Sequence, residues 1–300
     1  MNWQQLVQQI CSGDIKSLAR AISLVENEYA DYHSLLKLLP GPGTATITGI
    51  TGPPGAGKST LVDALVGLLV NEQKKCAVLC IDPSSPFKKG ALLGDRIRMS
   101  EWYNHPNVFI RSLATRGSLG GLHPKIIEIT DIIKAAAFDH IIIETVGVGQ
   151  SEVEIAGLAD TTVVVLVPEA GDEIQTMKAG LMEVADIFVV NKADRPGADL
   201  FIKNLRTMLT PDFHRQAAPI IKSIAPARLG IQELLEKIIQ HESMSAGNGK
   251  KEQLLTEKGY QLIQRIRMKD IDRQQLQQQL EKAATEKGFN LYAFIDAHYH

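Results

Sequence analysis

The sequence predicts an α/β protein: a mostly parallel, seven-stranded sheet covered by helices, with further helical extensions at both ends. Three observations carry that expectation. Seven short β-branched runs follow one another from Ala45 onward: ATITGIT, KCAVLCID, NVFIRSL, DHIIIETV, TTVVVLV, DIFVVNKAD and PIIKSIA. Such runs are apolar on both faces, as strands of a sheet covered on both sides require. The intervals between them are helix-sized, which is the connection that neighbouring parallel strands need.

Residues 1–39 form the first extension. Leu6, Val7 and Ile10 keep helical spacing, Gly13 interrupts it, and Asp14 is placed to cap a second helix carrying Leu18, Ile22 and Val25. Pro40, Gly41, Pro42 and Gly43 break the pattern and open the sheet domain, residues 40–241. The polar stretch ESMSAGNGKKE marks a linker at 242–252, and residues 253–300 form a helical arm. Two helices are expected in that arm, one through Leu255, Leu262 and Ile266 and one through Leu276, Leu280 and Ala283. Their narrow apolar seams and glutamine-rich faces must pack on the sheet domain or on another chain.

Composition narrows the class. With 300 residues, 44% apolar and 22% charged, the chain can bury a core without disulfides, and disorder or a fibrous repeat does not fit. The 32 basic side chains against 34 acidic ones leave a net charge of −2, so no general attraction to nucleic acid or to anionic membrane is expected. Apolar stretches such as Val163 to Val167 are strand-sized, far below the roughly 20 residues of a membrane span. The start MNWQQLVQQICSGD has no secretory pattern, and three cysteines are an odd number. A reducing cytoplasm is the expected compartment.

Residues 52–59 read GPPGAGKS, the pattern GxxxxGK[ST], between the strand ATITGIT and the helical run LVDALVGLLV. Gly52, Gly55 and Gly57, with Ala56 between them, let the backbone wrap so that successive N–H groups face a polyphosphate. Lys58 supplies the cation for the β and γ phosphates, the Ser59 hydroxyl a ligand for Mg²⁺, and Thr60 a further phosphate donor. The chain is therefore expected to be a P-loop NTPase.

The base is chosen elsewhere. Asn191, Lys192 and Asp194 form NKxD at a strand end, where the aspartate can accept from N1–H and the 2-amino group of guanine, an edge adenine lacks. Lys192 would lie along the base, and Asn191 would tie the loop to its neighbours. In KSIAPARLG, Ser223 and Ala225 mark a second base loop, with the Ala225 N–H as the candidate contact to the guanine oxygen. GTP and GDP are thus the expected nucleotides.

Acidic loops complete the site. Glu144 in ETVG stands where a DxxG switch has aspartate; it would act through the Mg²⁺ shell while the Gly147 N–H meets the γ-phosphate. Asp82, at the end of KCAVLCID, approaches the metal from the other side, and Asp95 is a second candidate there. Gln150 is placed to position the attacking water.

In order, GPPGAGKST, DPSSP with GALLGDRIRM, RSLATRGSLGGL, ETVGVGQSE, AGDEIQ and NKADRPGAD resemble the MeaB/ArgK family of SIMIBI-class GTPases over residues 40–240. The resemblance implies a homodimeric, slowly hydrolysing GTPase that acts as chaperone to an adenosylcobalamin-dependent acyl-CoA mutase similar to methylmalonyl-CoA mutase. It gates cofactor loading and protects that enzyme. It also implies Asp82 and Asp95 in a first switch, Glu144 in a second, and a partner-signalling segment holding Glu169, Asp172 and Lys178, with the C-terminal helices as a dimerisation arm. Departures are Lys88 and Lys89 in place of a glycine pair, Glu169 where the family has glycine in PGAGDE, and Ser118 in place of a common histidine.

Other features carry less. Arg116 in TRGSLGGL is a candidate arginine finger or simply part of a sharp connection. Cys76 and Cys80 share strand parity and point to core rather than metal, and His298 and His300 sit at a chain end. The rival readings are a metallocentre-assembly GTPase, which this poor ligand inventory disfavours, and an ATP-using kinase linked to amino-acid transport, which Asp194 disfavours.

Overall fold

The computed structural model describes residues 1–41, 43–82, 99–116, 121–147, 151–170, 179–209, 218–245, 250–268, 270–285 and 288–299. Its strands are β1 (Thr46–Thr51), β2 (Cys76–Asp82), β3 (Val108–Ala114), β4 (His140–Glu144), β5 (Thr161–Leu166), β6 (Ile187–Val190) and β7 (Ile220–Lys222). They form one seven-stranded sheet in the order β3-β2-β4-β1-β5-β6-β7, with every pairing parallel. All carboxyl ends therefore lie along one edge. The chain works outward from β1 to β3 on one side, returns to β4, and builds β5 to β7 on the other side. Ligand crevices form where the strand order reverses in this way, here around β1.

Ahead of the sheet lie α1 (Trp3–Cys11), α2 (Ile15–Glu26) and α3 (Tyr32–Lys37). Asp14 caps α2 by accepting from the Ser17 N–H at 2.6 Å, which holds its carboxyl below the usual carboxylate range. The other helices of the larger unit are α4 (Lys58–Asn71), α5 (Ile126–Ala135), α6 (Ser151–Ala156), α7 (Ala179–Val184), α8 (Ala198–Met208) and α9 (Ile231–Ser245). One sheet face packs on α4 and α9. There Ile50, Val78, Ile142, Val163 and Val189 meet Leu61, Leu65, Leu234 and Ile238. On the opposite face, Val164, Leu166, Phe188 and Val190 meet Phe201, Ile202 and Leu205 of α8. Helix α4 buries residues on nearly every side, as a helix enclosed by core must. Cys76 and Cys80 belong to the first of these cores, and burial pushes the Cys76 thiol up to about 12.

The chain divides into two compact units, Met1–Leu254 and Leu255–His300. The N-terminal helices belong to the larger one, where α2 packs on α5. The arm carries α10 (Lys250–Arg267), α11 (Arg273–Ala283) and α12 (Leu291–Tyr299), one helix more than its spacing predicts. Helix α3 spans six residues, too short for periodicity to identify. The expected linker is helical at both ends, because α9 runs on to Ser245. Its last turn is anchored under the sheet: His241 pairs through Nδ1 with Thr161 Oγ1 at 2.8 Å and through Nε2 with Asp186 Oδ1 at 3.2 Å.

Candidate active site

The site is built at the carboxyl edge of β1, where the phosphate loop leaves the strand and enters α4. Gly57 precedes the helix with φ +87°, and a Cβ there would lie 2.5 Å from the Asn191 amide nitrogen. Lys58, 6% exposed, reaches its ammonium back across its own loop to donate to Gly52 O at 2.8 Å and Pro53 O at 3.1 Å. The cation is thus held within the cradle of main-chain groups that a polyphosphate would enter.

Glu144 and Ser59 meet directly, with the Ser59 hydroxyl donating to Glu144 Oε1 at 2.6 Å. Strand pairing sets Cys80 level with Glu144, so Asp82 stands two residues further along the same face of β2. Both carboxylates are only 4% exposed. This donor set is all oxygen, the chemistry of a hard divalent cation. No group of three or more His, Cys, Asp or Glu among the described residues could hold a metal alone. That combination suits Mg²⁺, which binds through one or two protein oxygens plus phosphates and water rather than in a protein cage.

Beyond Glu144, the Thr145 N–H donates to Ile50 O at 3.0 Å, and the Thr145 hydroxyl meets that of Thr51 at 2.8 Å. This buried pair locks the end of β4 to the end of β1. It delivers Gly147, φ +83°, against the phosphate loop, where a Cβ would lie 2.2 Å from Gly52 O and 2.6 Å from Lys58 Nζ.

The NKAD loop is wired to the same cradle. Asn191 Nδ2 donates to Ala56 O at 2.9 Å, while its Oδ1 accepts from Ser223 Oγ at 3.1 Å and from the Ala225 N–H at 3.2 Å. Lys192, at φ +55°, donates to Gly55 O at 2.8 Å, and the Ala193 N–H donates to Ser223 O at 3.0 Å. One asparagine therefore joins three loops. The Ala225 amide already has Asn191 as its acceptor, so a guanine oxygen placed there would share that donor. Asp194 is exposed beside it, open to a base.

Arg116 is directed elsewhere: its guanidinium donates to Glu26 O at 2.6 Å and to Asn27 Oδ1 at 3.2 Å, at the C-terminal end of α2. Arg111 donates to Glu26 Oε2 at 2.6 Å, so two arginines clamp one glutamate of the N-terminal extension. Spacing gives no sign of this clamp or of the Thr51–Thr145 pair. Asp95, Gln150, Asp172 and Lys178 lie outside the described residues, as do Lys88, Lys89 and Ser118. Glu169 is described and pairs with Arg195, the residue that follows NKAD.

A family model described as methylmalonyl Co-A mutase-associated GTPase MeaB matches residues 18–281. The chain belongs to the MeaB family of GTPases. A putative GTPase of Pyrococcus abyssi is 48% identical to it over 252 residues, covering 82% of this chain and 78% of that protein. A Caenorhabditis elegans protein named methylmalonic aciduria type A homolog, mitochondrial, is 41% identical over 209 residues, covering 64% of this chain and 52% of that protein. The crystal structure of a LAO/AO transport system kinase superposes with a TM-score of 0.69 at 27% identity, covering 95% of this chain and 87% of that one. This MeaB-family chain thus has the P-loop α/β fold, and the activity of its family is GTP hydrolysis. No helix among its described residues is long and apolar enough to cross a membrane.

Proposed function

We propose that the chain is a GTP-driven chaperone of an adenosylcobalamin-dependent acyl-CoA mutase, working as a homodimer in the cytoplasm and hydrolysing GTP slowly until its partner engages. The observation that carries the nucleotide part is the knot at Asn191, through which the base loop, the second base loop and the phosphate loop become one rigid body. A guanine read by Asp194 is then placed at a set distance from Lys58. The partner follows from the family model's description and the name of the nematode relative.

In the hydrolysis step, water attacks the γ-phosphorus in line and the β–γ bridging oxygen leaves with the bond electrons. Lys58 and the amides of residues 55–60 offset the charge on the phosphate oxygens. The Gly147 N–H would donate to the γ-phosphate, and Gln150 would orient the water. Ser59, Asp82 and Glu144 would hold Mg²⁺, which would supply further neutralisation of the phosphate charge. With Arg116 turned to α2 rather than toward the phosphate loop, intrinsic turnover is expected to be slow.

GTP turnover measured with and without candidate acyl-CoA mutases tests this reading. Acceleration by one of them supports it; equal rates across several such mutases overturn the partner. Likeness to the LAO/AO transport system kinase keeps a transport-linked kinase as the second reading. Competition between GTP and ATP decides between them, since Asp194 should make GTP win by orders of magnitude.

A further inference from the structure

Arg195 directly follows NKAD, and its guanidinium forms an ion pair with Glu169 in the turn Pro168–Ala170, just past β5. The Glu169 carboxyl is held below its ordinary range chiefly by the hydrogen bond from Arg195, with Lys192 adding its field. β5 and β6 are paired neighbours, so the ion pair bridges the two loops that leave them at the nucleotide edge. Every other tether of the base loop described above ends inside the site, on Gly55, Ala56, Ser223 or Ala225. This one ends outside it. Arg195 and Glu169 are 46% and 50% exposed, so a competing charged surface can reach them without opening the core.

We propose that Glu169 is a positioning residue for nucleotide retention: acting through Arg195, it holds the base-reading loop against the guanine and so sets how fast GDP leaves. The proposal rests on the GTP reading above. Asp194 reads the base from an exposed position in its loop, and the Arg195–Glu169 pair ties that loop to the adjacent strand. Because Glu169 sits in the turn Pro168–Ala170, anything that draws that turn away also frees Arg195 and releases the loop. A partner presenting a cation to Glu169 would then promote exchange without entering the nucleotide site.

The test is stopped-flow release of fluorescent mant-GDP from the full chain, chased with unlabelled GDP at low and high ionic strength. Wild type, Glu169→Gln, Arg195→Gln and the charge-swapped double variant Glu169→Arg/Arg195→Glu are compared. Each single variant is expected to release GDP about two- to fivefold faster at low salt, the span of an exposed ion pair. The swapped pair should return to the wild-type rate, and high salt should bring wild type close to the single variants. Unchanged rates in the single variants, or acceleration that the swap does not reverse, overturn the proposal. If wild type holds mant-GDP and rejects mant-ADP while the variants behave like it, only the latch falls. If wild type holds no mant-GDP, the latch and the GTP reading fall together.

Discussion

Gly147 has no room for a side chain. A Cβ would stand 2.2 Å from the Gly52 carbonyl oxygen and 2.6 Å from the Lys58 ammonium, and the residue sits at φ +83°. Gly147→Ala must therefore push the loop after β4 away from the phosphate cradle or force Lys58 out of it. We expect GTP affinity to fall by at least about tenfold, roughly 1.4 kcal/mol or more, by calorimetry. An unchanged affinity would show that Gly147 plays no part in the γ-phosphate site. Asn191→Ala acts differently, since it leaves Ala56 O, Ser223 Oγ and the Ala225 N–H without their buried partner. Each such loss costs about 1–3 kcal/mol, and relaxation of the loops recovers part, so a net destabilisation of about 2–4 kcal/mol is expected in urea unfolding. The identities of these residues are legible in GPPGAGKS, ETVG and NKAD, because the chemistry of a phosphate and a guanine demands them at fixed spacings. The use of the Ala225 amide is not, because which backbone donor a side-chain amide takes depends on how two distant loops approach.

At the scale of elements, the strands are the most legible part, since runs such as HIIIE and TTVVVL must be buried on both faces to fold at all. The last turn of α9 carries the polar run ESMS, which predicts linker, yet the helix runs through it, with His241 and Glu242 docked on the sheet domain. Glu242 shows the cost of that docking. Burial pushes its carboxyl up to about 7, with nearby Asp160 adding to the rise, against a hydrogen bond from Thr46 and the field of His241. Its folded value lies above its unfolded one, so the native state keeps the proton longer. Glu242 costs nothing below about pH 4.5; stability is lost as pH rises through the window from about 4.5 to 7 and stays lower above it. Glu242→Gln should match wild type in urea unfolding at about pH 4 and exceed it at about pH 8. The gain, discounted for the group's partial exposure, is about 1–2 kcal/mol. Equal stability of the two proteins at the higher pH would show that the carboxylate is solvated there.

For the whole molecule, the division into two units separates the nucleotide machinery from an arm of different character. The larger unit encloses Val, Ile and Leu in close-packed layers, whereas Leu255, Ile266 and Tyr292 of the arm are 71%, 67% and 82% exposed. The arm is not without internal order: the rings of Phe289 and Phe294 lie 6.2 Å apart, and Tyr299 donates to Gln279 at 2.6 Å, joining α12 to α11. Yet a standard protein–protein interface buries about 1,600 Å², and apolar side chains this open on paired helices are what such a surface is made from. Leu255 and Ile266 lie eleven positions apart on α10, three helical turns, and so share one face of it. The homodimer expected from the family therefore has a specific test. Leu255→Glu/Ile266→Glu places two charges per chain, four in a dimer, where each replaced side chain would otherwise contribute about 1.5–3 kcal/mol of burial. Wild type should sediment as a dimer at micromolar concentration and the double variant as a monomer. GTP affinity should be retained in both, because the substitutions lie in the other unit. A monomeric wild type, or a double variant that remains dimeric, would remove this face of α10 from the interface and with it the reading of the arm as a dimerisation device.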